Sequence, residues 1–182
     1  SSFGIYRPVV LEVTDPVRIE PFGVHIWNNT ACDSLYIDTE IKNYSHQTVG
    51  VELVSKLCEK NGQQVIRLTQ NIELKAGETK VIHQMSALDQ PKRWSTSNPY
   101  LYTINSILKR NGKATESTET PYGICATSWP RSIDRIHQND QRFLLNGEPV
   151  FINGVCEYEH EFGQSHAFSN EQIEARIKMV KD

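Results

Sequence analysis

What most constrains the fold is a succession of short segments, between about residues 24 and 125, in which apolar and polar residues alternate. Leu35, Ile37, Thr39 and Ile41 are interleaved with Tyr36, Asp38, Glu40 and Lys42. A period of two sends successive side chains to opposite faces of a strand, so the pattern predicts one buried face and one wet face. Val49, Val51, Leu53 and Leu57 repeat it against Gln47, Glu52 and Lys56. Asn61-Gly62 and Asn111-Gly112 are turn pairs that tolerate positive φ. Ala76-Gly77 closes a strand over roughly 64–74. Further strands run through Val81 and Ile82, through Tyr100, Tyr102, Ile104 and Leu108, and finally toward Cys125. With a short first strand at Val24–Trp27 there are seven.

Seven short antiparallel strands in about 100 residues predict a mainly β chain built on a two-sheet sandwich of immunoglobulin type. The Cys–Trp–Cys arrangement of antibody domains is not evident, so the expectation concerns architecture only. The last strand holds Thr115, Glu116, Ser117, Thr118 and Glu119, which suits a sheet edge guarded by charge.

The pattern changes after residue 125. Arg142 to Val155 reads as a hairpin on Asn146-Gly147 followed by an apolar strand. A stretch rich in Glu and His follows, then a helix. Ser169 is a suitable N-cap with Gln172 three residues on, and Phe168 and Ile173 are placed for a hydrophobic staple. Ile173, Ile177 and Val180 mark one helical face. Strand, loop and helix form one β/α unit, which needs further chain to cover its faces. At the other end, Ile5 to Val13 reads as the last strand of a preceding domain, broken by Asp15-Pro16. Ser1-Ser2-Phe3 is neither an initiator methionine nor a signal peptide, and the last residues read as an interrupted helix. The expected division is therefore 1–22, 23–125 and 126–182.

Composition removes several function classes. Hydrophobic residues are 38% of the 182, enough for a core. The net charge is −3 with signs interspersed, so no basic stripe is present to neutralise phosphates and no nucleic-acid partner is expected. Apolar runs are too short for a membrane span. Cysteines 32, 58, 125 and 156 show no zinc-type spacing and read as free structural thiols, with one disulfide as the alternative. His25, His46, His83 and His137 have no acid close by in sequence and read as structural or surface groups.

Three motifs in order bring a family into view. Gly4-Ile5-Tyr6-Arg7-Pro8-Val9 resembles the segment closing the N-terminal jelly-roll domain of family 2 glycoside hydrolases. Trp94-Ser95-Thr96-Ser97-Asn98-Pro99-Tyr100-Leu101-Tyr102 resembles the run that leads into a late strand of their sandwich. Tyr122-Gly123-Ile124, then Phe143 to Val150, then Asn153-Gly154-Val155 resemble the passage from sandwich to barrel. The physical reading stands beside the name. Pro99 holds Asn98 extended, Tyr100 and Tyr102 share a strand face, and Trp94 is expected to pack over the sandwich end.

The resemblance implies an immunoglobulin-like sandwich followed by the start of a TIM barrel, and a parent enzyme hydrolysing O-glycosidic bonds. Such enzymes use two glutamates, after the fourth barrel strand and on the seventh, about 5–5.5 Å apart in retaining members. Both fall beyond this chain, so no catalytic residue is expected in it. Asn170-Glu171 mimics the acid/base pair but sits in a helix first turn, where Glu serves the helix dipole. The loop 156–166 occupies the site-forming end of a barrel strand. Relatives read Gly-Val-Asn-x-His-Glu there; here Cys156 and Tyr158 replace the Asn and His while Glu159 matches, so the sugar is not fixed.

Glu157 and His160 are the candidate substrate-binding residues, with solvated loop groups as the equal alternative. A metal site from Glu157, Glu159, His160 and His166 matches no compact ligand motif, and no metal or other cofactor is expected. The expected partner is a carbohydrate substrate, bound through the complete parent enzyme, with homo-oligomer contacts left open. A periplasmic or extracellular location is open for the parent. The competing reading is a carbohydrate-binding or structural sandwich without catalysis, which would need exposed coplanar aromatic side chains.

Overall fold

The computed structural model describes residues 5, 8–129, 142–156, 158 and 166–181. The chain forms two compact units, Thr14–Phe151 and Ser1–Val13 with Ile152–Asp182.

The larger unit is mainly β. Its long strands are β1 (Val17–Asn28), β2 (Ser34–Asn43), β3 (Val49–Cys58), β4 (Gln64–Leu74), β5 (Thr79–Ala87), β6 (Tyr102–Arg110) and β7 (Lys113–Tyr122). They make an antiparallel sheet of order β1-β2-β5 and another of order β4-β3-β6-β7. Both sheets feed one core. Val17, Ile41 and Ile82 of the first pack with Val51, Leu53, Leu74 and Leu108 of the second. The alternation in β2 has the expected phase: Leu35, Ile37, Thr39 and Ile41 are buried. Asn111 and Gly112 both take positive φ between β6 and β7, whereas in Asn61-Gly62 only the glycine does. β7 lies at a sheet edge, and its Glu116 carboxylate accepts the Ile19 N–H at 2.7 Å.

The first strand departs from expectation. The alternation suggested Val24–Trp27, but β1 starts at Val17 and its pairing with β2 jumps between Ile19 and Val24. This bulge spoils the period-two pattern and so hides the strand's first half. Phe22, at the bulge, takes φ 59 and is fully exposed. Gly23 is required there, because a Cβ would stand 2.7 Å from the Glu20 carbonyl oxygen.

A polar layer divides the core. Thr39, Ser55, Gln84 and Ser106 are buried, and the Ser55 hydroxyl donates to Gln84 Oε1 at 2.6 Å. In β2, β3 and β6 the polar residue stands between a member of each of two apolar clusters: Ile41 and Ile37, Leu53 and Leu57, Leu108 and Ile104. The second cluster gathers Cys32, Leu35, Ile37, Leu57, Leu88, Tyr102, Ile104 and Ile124.

Short strands β8 (Thr127–Ser128), β9 (Leu144–Leu145) and β10 (Glu148–Pro149) form a small antiparallel sheet turning on Asn146-Gly147, as the sequence suggested. The apolar strand expected after it is not formed. Residues 150–156 have no ladder partner among the described residues, and Phe151, Ile152 and Val155 are exposed. In the smaller unit, residues 8–13 carry no regular secondary structure, and helix α1 spans Asn170–Lys181. Its capping box is present: the Ser169 N–H donates to Gln172 Oε1 at 2.8 Å and the Gln172 N–H to Ser169 Oγ at 3.3 Å. Phe168 lies under the Arg176 guanidinium, 5.2 Å from ring centroid to Cζ. Ile177 and Val180 are exposed.

Candidate functional site

The best-built polar arrangement lies at the strand ends around the second apolar cluster, where the chain leaves β7 for the hairpin. Three side chains organise it. Asn28, the last residue of β1, donates through Nδ2 to the Cys125 carbonyl at 3.0 Å and the Asn29 carbonyl at 2.8 Å. The same nitrogen lies 3.5 Å from Cys32 Sγ, and the Tyr122 hydroxyl donates to Asn28 Oδ1.

Trp94 is the second organiser. Its N–H donates to the Ile124 carbonyl at 2.8 Å, and its side chain covers Gly123 so closely that a Cβ there would stand 3.1 Å from three of its atoms. The Tyr122-Gly123-Ile124 motif thus leaves little room for a side chain at its glycine beside the tryptophan, and Trp94 packs against the segment leaving β7. Asn146 is the third. Its N–H donates to the Ala126 carbonyl at 2.7 Å, while Oδ1 accepts the Ala126 N–H at 3.0 Å. Its Nδ2 reaches the Trp94 carbonyl at 2.9 Å. One turn residue therefore ties the hairpin to both the Trp94 loop and the exit from β7. Lys92 adds a further link, its N–H donating to the Tyr102 hydroxyl at 2.8 Å.

The electrostatics of this joint favour neutral groups. Burial, with the neighbouring Cys125 and Cys32 adding to it, pushes the Tyr122 hydroxyl up to about 12. Burial also raises the Cys32 thiol, opposed by Arg93 and reinforced by Cys125. Neither group is activated as a nucleophile or base by this setting. The arrangement can hold segments in register.

The sequence-derived candidates Glu157 and His160 lie outside the described residues, as do Glu159 and His137. Of their loop, Cys156 and Tyr158 are exposed, and His166 lies just before α1. Among the described residues no group of three or more His, Cys, Asp or Glu could hold a metal ion, and no helix is long and apolar enough to cross a membrane. Glu171 sits in the first turn of α1, its carboxyl held below the usual range by Ser169 and the backbone.

One histidine has an acid partner that sequence proximity could not reveal. His83 Nδ1 lies 2.7 Å from Asp38 Oδ1, because β2–β5 register places the two side by side. The pair is a surface feature, with the His83 side chain 74% exposed.

The family model described as Glycosyl hydrolases family 2 matches residues 17–124, more than half of the chain. The chain belongs to glycoside hydrolase family 2. The match starts with β1 and ends at Ile124, where Trp94 is hydrogen-bonded. A β-galactosidase of Bacteroides ovatus, BoGH2A, is 30% identical over the whole of this family 2 chain, which covers 21% of that protein. A β-glucuronidase of Formosa agariphila is 26% identical over 83% of the chain and 16% of its own length. The chain thus spans about a fifth or less of these relatives. Among solved structures, a family 2 member from Bacteroides cellulosilyticus superposes with a TM-score of 0.79 at 23% identity, over 92% of this chain and 21% of that one. A Bacteroides uniformis β-glucuronidase gives 0.72 at 21% identity, over 92% and 19%. At these identities the superpositions speak for the fold alone.

Proposed function

We propose that this chain is a non-catalytic internal part of a retaining glycoside hydrolase that cleaves O-glycosidic bonds of β-galactosides or β-glucuronides. The observation that carries it is the extent of the match: the whole chain aligns with BoGH2A yet accounts for 21% of it. Residues 23–125 form the immunoglobulin-like sandwich that spaces and buttresses the barrel. Residues 126–182 begin the barrel, with Glu157 and His160 contacting substrate hydroxyls or supporting the catalytic carboxylates. Residues 1–22 close the preceding jelly roll. In this reading the joint at Asn28, Trp94 and Asn146 transmits the sandwich's rigidity to the hairpin that leads toward the barrel. The parent binds carbohydrate.

The binding-module alternative is weakened by the aromatic geometry. Trp27 stacks on Tyr36 at 5.3 Å with planes 9° apart. Their facing surfaces cover one another instead of forming a flat sugar platform. The test is hydrolysis of a panel of nitrophenyl β-glycosides by the chain and by the complete protein, side by side. Turnover by the complete protein alone supports the reading and names the sugar. Turnover by the chain itself, or by neither, overturns it.

A further inference from the structure

The outer face of the four-stranded sheet carries a groove that the joint and the hairpin do not use. Its volume is about 460 Å³, within the range of small-molecule sites, roughly 300–1,000 Å³. Strand register builds it. Val49 and Val51 are buried in the core, so Gly50 and Glu52 face outward. Glu52 stands opposite Asn71 of β4 on one side and Lys109 of β6 on the other, and its Oε1 lies 3.0 Å from Lys109 Nζ. Gly50 stands opposite Glu73 of β4, and Asn111, in the β6–β7 turn, completes the lining. Gly50 forms the floor, and the fold does not call for a glycine there. It sits within the β3–β4 ladder, its φ is not positive, and a Cβ would meet nothing within 4 Å. A glycine in a ladder gives up β propensity and packing. Where no turn, bulge or neighbouring atom demands it, it marks a place where a ligand comes close to the backbone.

We propose that this groove is a second, non-catalytic saccharide site that takes a neutral β-galactoside. Sugar hydroxyls both donate and accept, and the lining offers both capacities side by side. Asn71 and Asn111 bring amides with a donor and an acceptor each, Glu52 and Glu73 bring acceptors, and the Lys109 ammonium brings donors. Donors and acceptors set next to one another in this way match vicinal hydroxyls. The two carboxylates outnumber the one ammonium, so a glucuronide carboxylate is repelled while an uncharged ring is not. The missing side chain at Gly50 lets that ring lie against β3. Recognition here runs through hydrogen bonds instead of aromatic stacking, so binding is weak, about millimolar. The choice of a galactoside rests on the glycosidase reading, whereas the groove itself does not.

Methyl β-galactopyranoside is titrated into the isotope-labelled 182-residue chain, with methyl β-glucuronide as the matched anionic sugar, and amide shifts are followed by NMR. The expected result is saturable shifts at Gly50, Asn71 and Asn111 with the galactoside, and severalfold weaker binding of the glucuronide. Gly50→Thr fills the floor. Its melting temperature should rise, since a β-branched residue replaces glycine in a strand, while galactoside affinity falls about tenfold or more. Asn71→Ala, at an exposed position, should weaken binding severalfold and keeps the test decisive should the threonine variant fold poorly. No saturable shift, shifts confined to other surfaces, equal affinity for the two sugars, or unchanged binding by Gly50→Thr would overturn the proposal. The hydrolysis panel separates this from the glycosidase reading. Hydrolysis by the complete protein without groove binding overturns the groove alone, and groove binding without hydrolysis overturns the reading alone.

Discussion

Asn146 combines two roles that substitution can separate. Its backbone takes φ 54 in the hairpin turn, and its side chain makes two bonds, from the Ala126 N–H at 3.0 Å and to the Trp94 carbonyl at 2.9 Å. Asn146→Gly keeps the turn and deletes both side-chain bonds. At about 1 kcal/mol net per bond, the joint should open about 2 kcal/mol more easily. That corresponds to a roughly thirtyfold rise in the open population. Asn146→Ala loses the same bonds and forces a Cβ-bearing residue without a local polar contact into the left-handed region, adding about 1 kcal/mol and roughly a further fivefold. The assay is amide hydrogen exchange by NMR. The Trp94 amide, which donates to the Ile124 carbonyl across the joint and keeps its partner in both variants, reports local opening, and Leu53 in the core of β3 serves as reference. The reasoning fails if the Gly and Ala variants exchange alike at Trp94. It also fails if Leu53 accelerates as much as Trp94, since the effect would then be global.

Three other outcomes are expected. Asn43 is fully buried; its Nδ2 serves the carbonyls of Gln47, Leu74 and Lys75 at 2.8–3.1 Å, and its Oδ1 accepts from the Ser45 N–H and hydroxyl. Asn43→Ala should therefore cost about 3–4 kcal/mol, seen as a lower urea midpoint; a loss under about 1 kcal/mol would contradict the accounting. Glu116→Ala leaves the Ile19 N–H without its carboxylate and should cost about 1–3 kcal/mol, with Glu116→Gln recovering most of it. Equal midpoints for the two variants in urea would refute that. The Tyr122 hydroxyl is raised in the fold from 10.0 to about 12, so its contribution is present below pH 10 and lost as pH climbs toward 12. Melting temperature should fall more steeply across that window in the unsubstituted chain than in Tyr122→Phe, and parallel slopes would count against it.

Much of the fold was legible because inward and outward positions alternate without interruption in β2 and β6, where burial follows every second residue. Asn-Gly pairs marked the β6–β7 turn and the hairpin correctly, since few other residues accept positive φ twice in succession. The first half of β1 was not legible. Val17 and Ile19 are in phase with each other, but the bulge at Phe22 resets the count before Val24. Tyr100 was grouped with Tyr102 on one strand, yet β6 begins only at Tyr102, and the two rings meet edge to face at 5.0 Å. The His83–Asp38 pair was invisible because it depends on strand register, not on spacing along the chain. The joint was partly legible: Trp94, Gly123 and the Asn146 turn all stood in motifs. The hydrogen bonds that join them link backbone groups and the Asn146 side chain across long stretches of sequence, which no local pattern encodes. The loop candidates Glu157 and His160 rest on position after a strand, an argument that names a place without fixing side-chain geometry.

The layer of Thr39, Ser55, Gln84 and Ser106 splits the interior into compartments that communicate mainly through Val24, which packs against both. Changes confined to one compartment, more than a strand's width from the other, should combine additively with changes across the layer. The consequence is evolutionary as much as energetic. The end that carries Trp94 and Asn146 can be remodelled to suit whatever it docks onto, while the opposite end keeps the strands together. A domain built in this way can change neighbours without being redesigned as a whole.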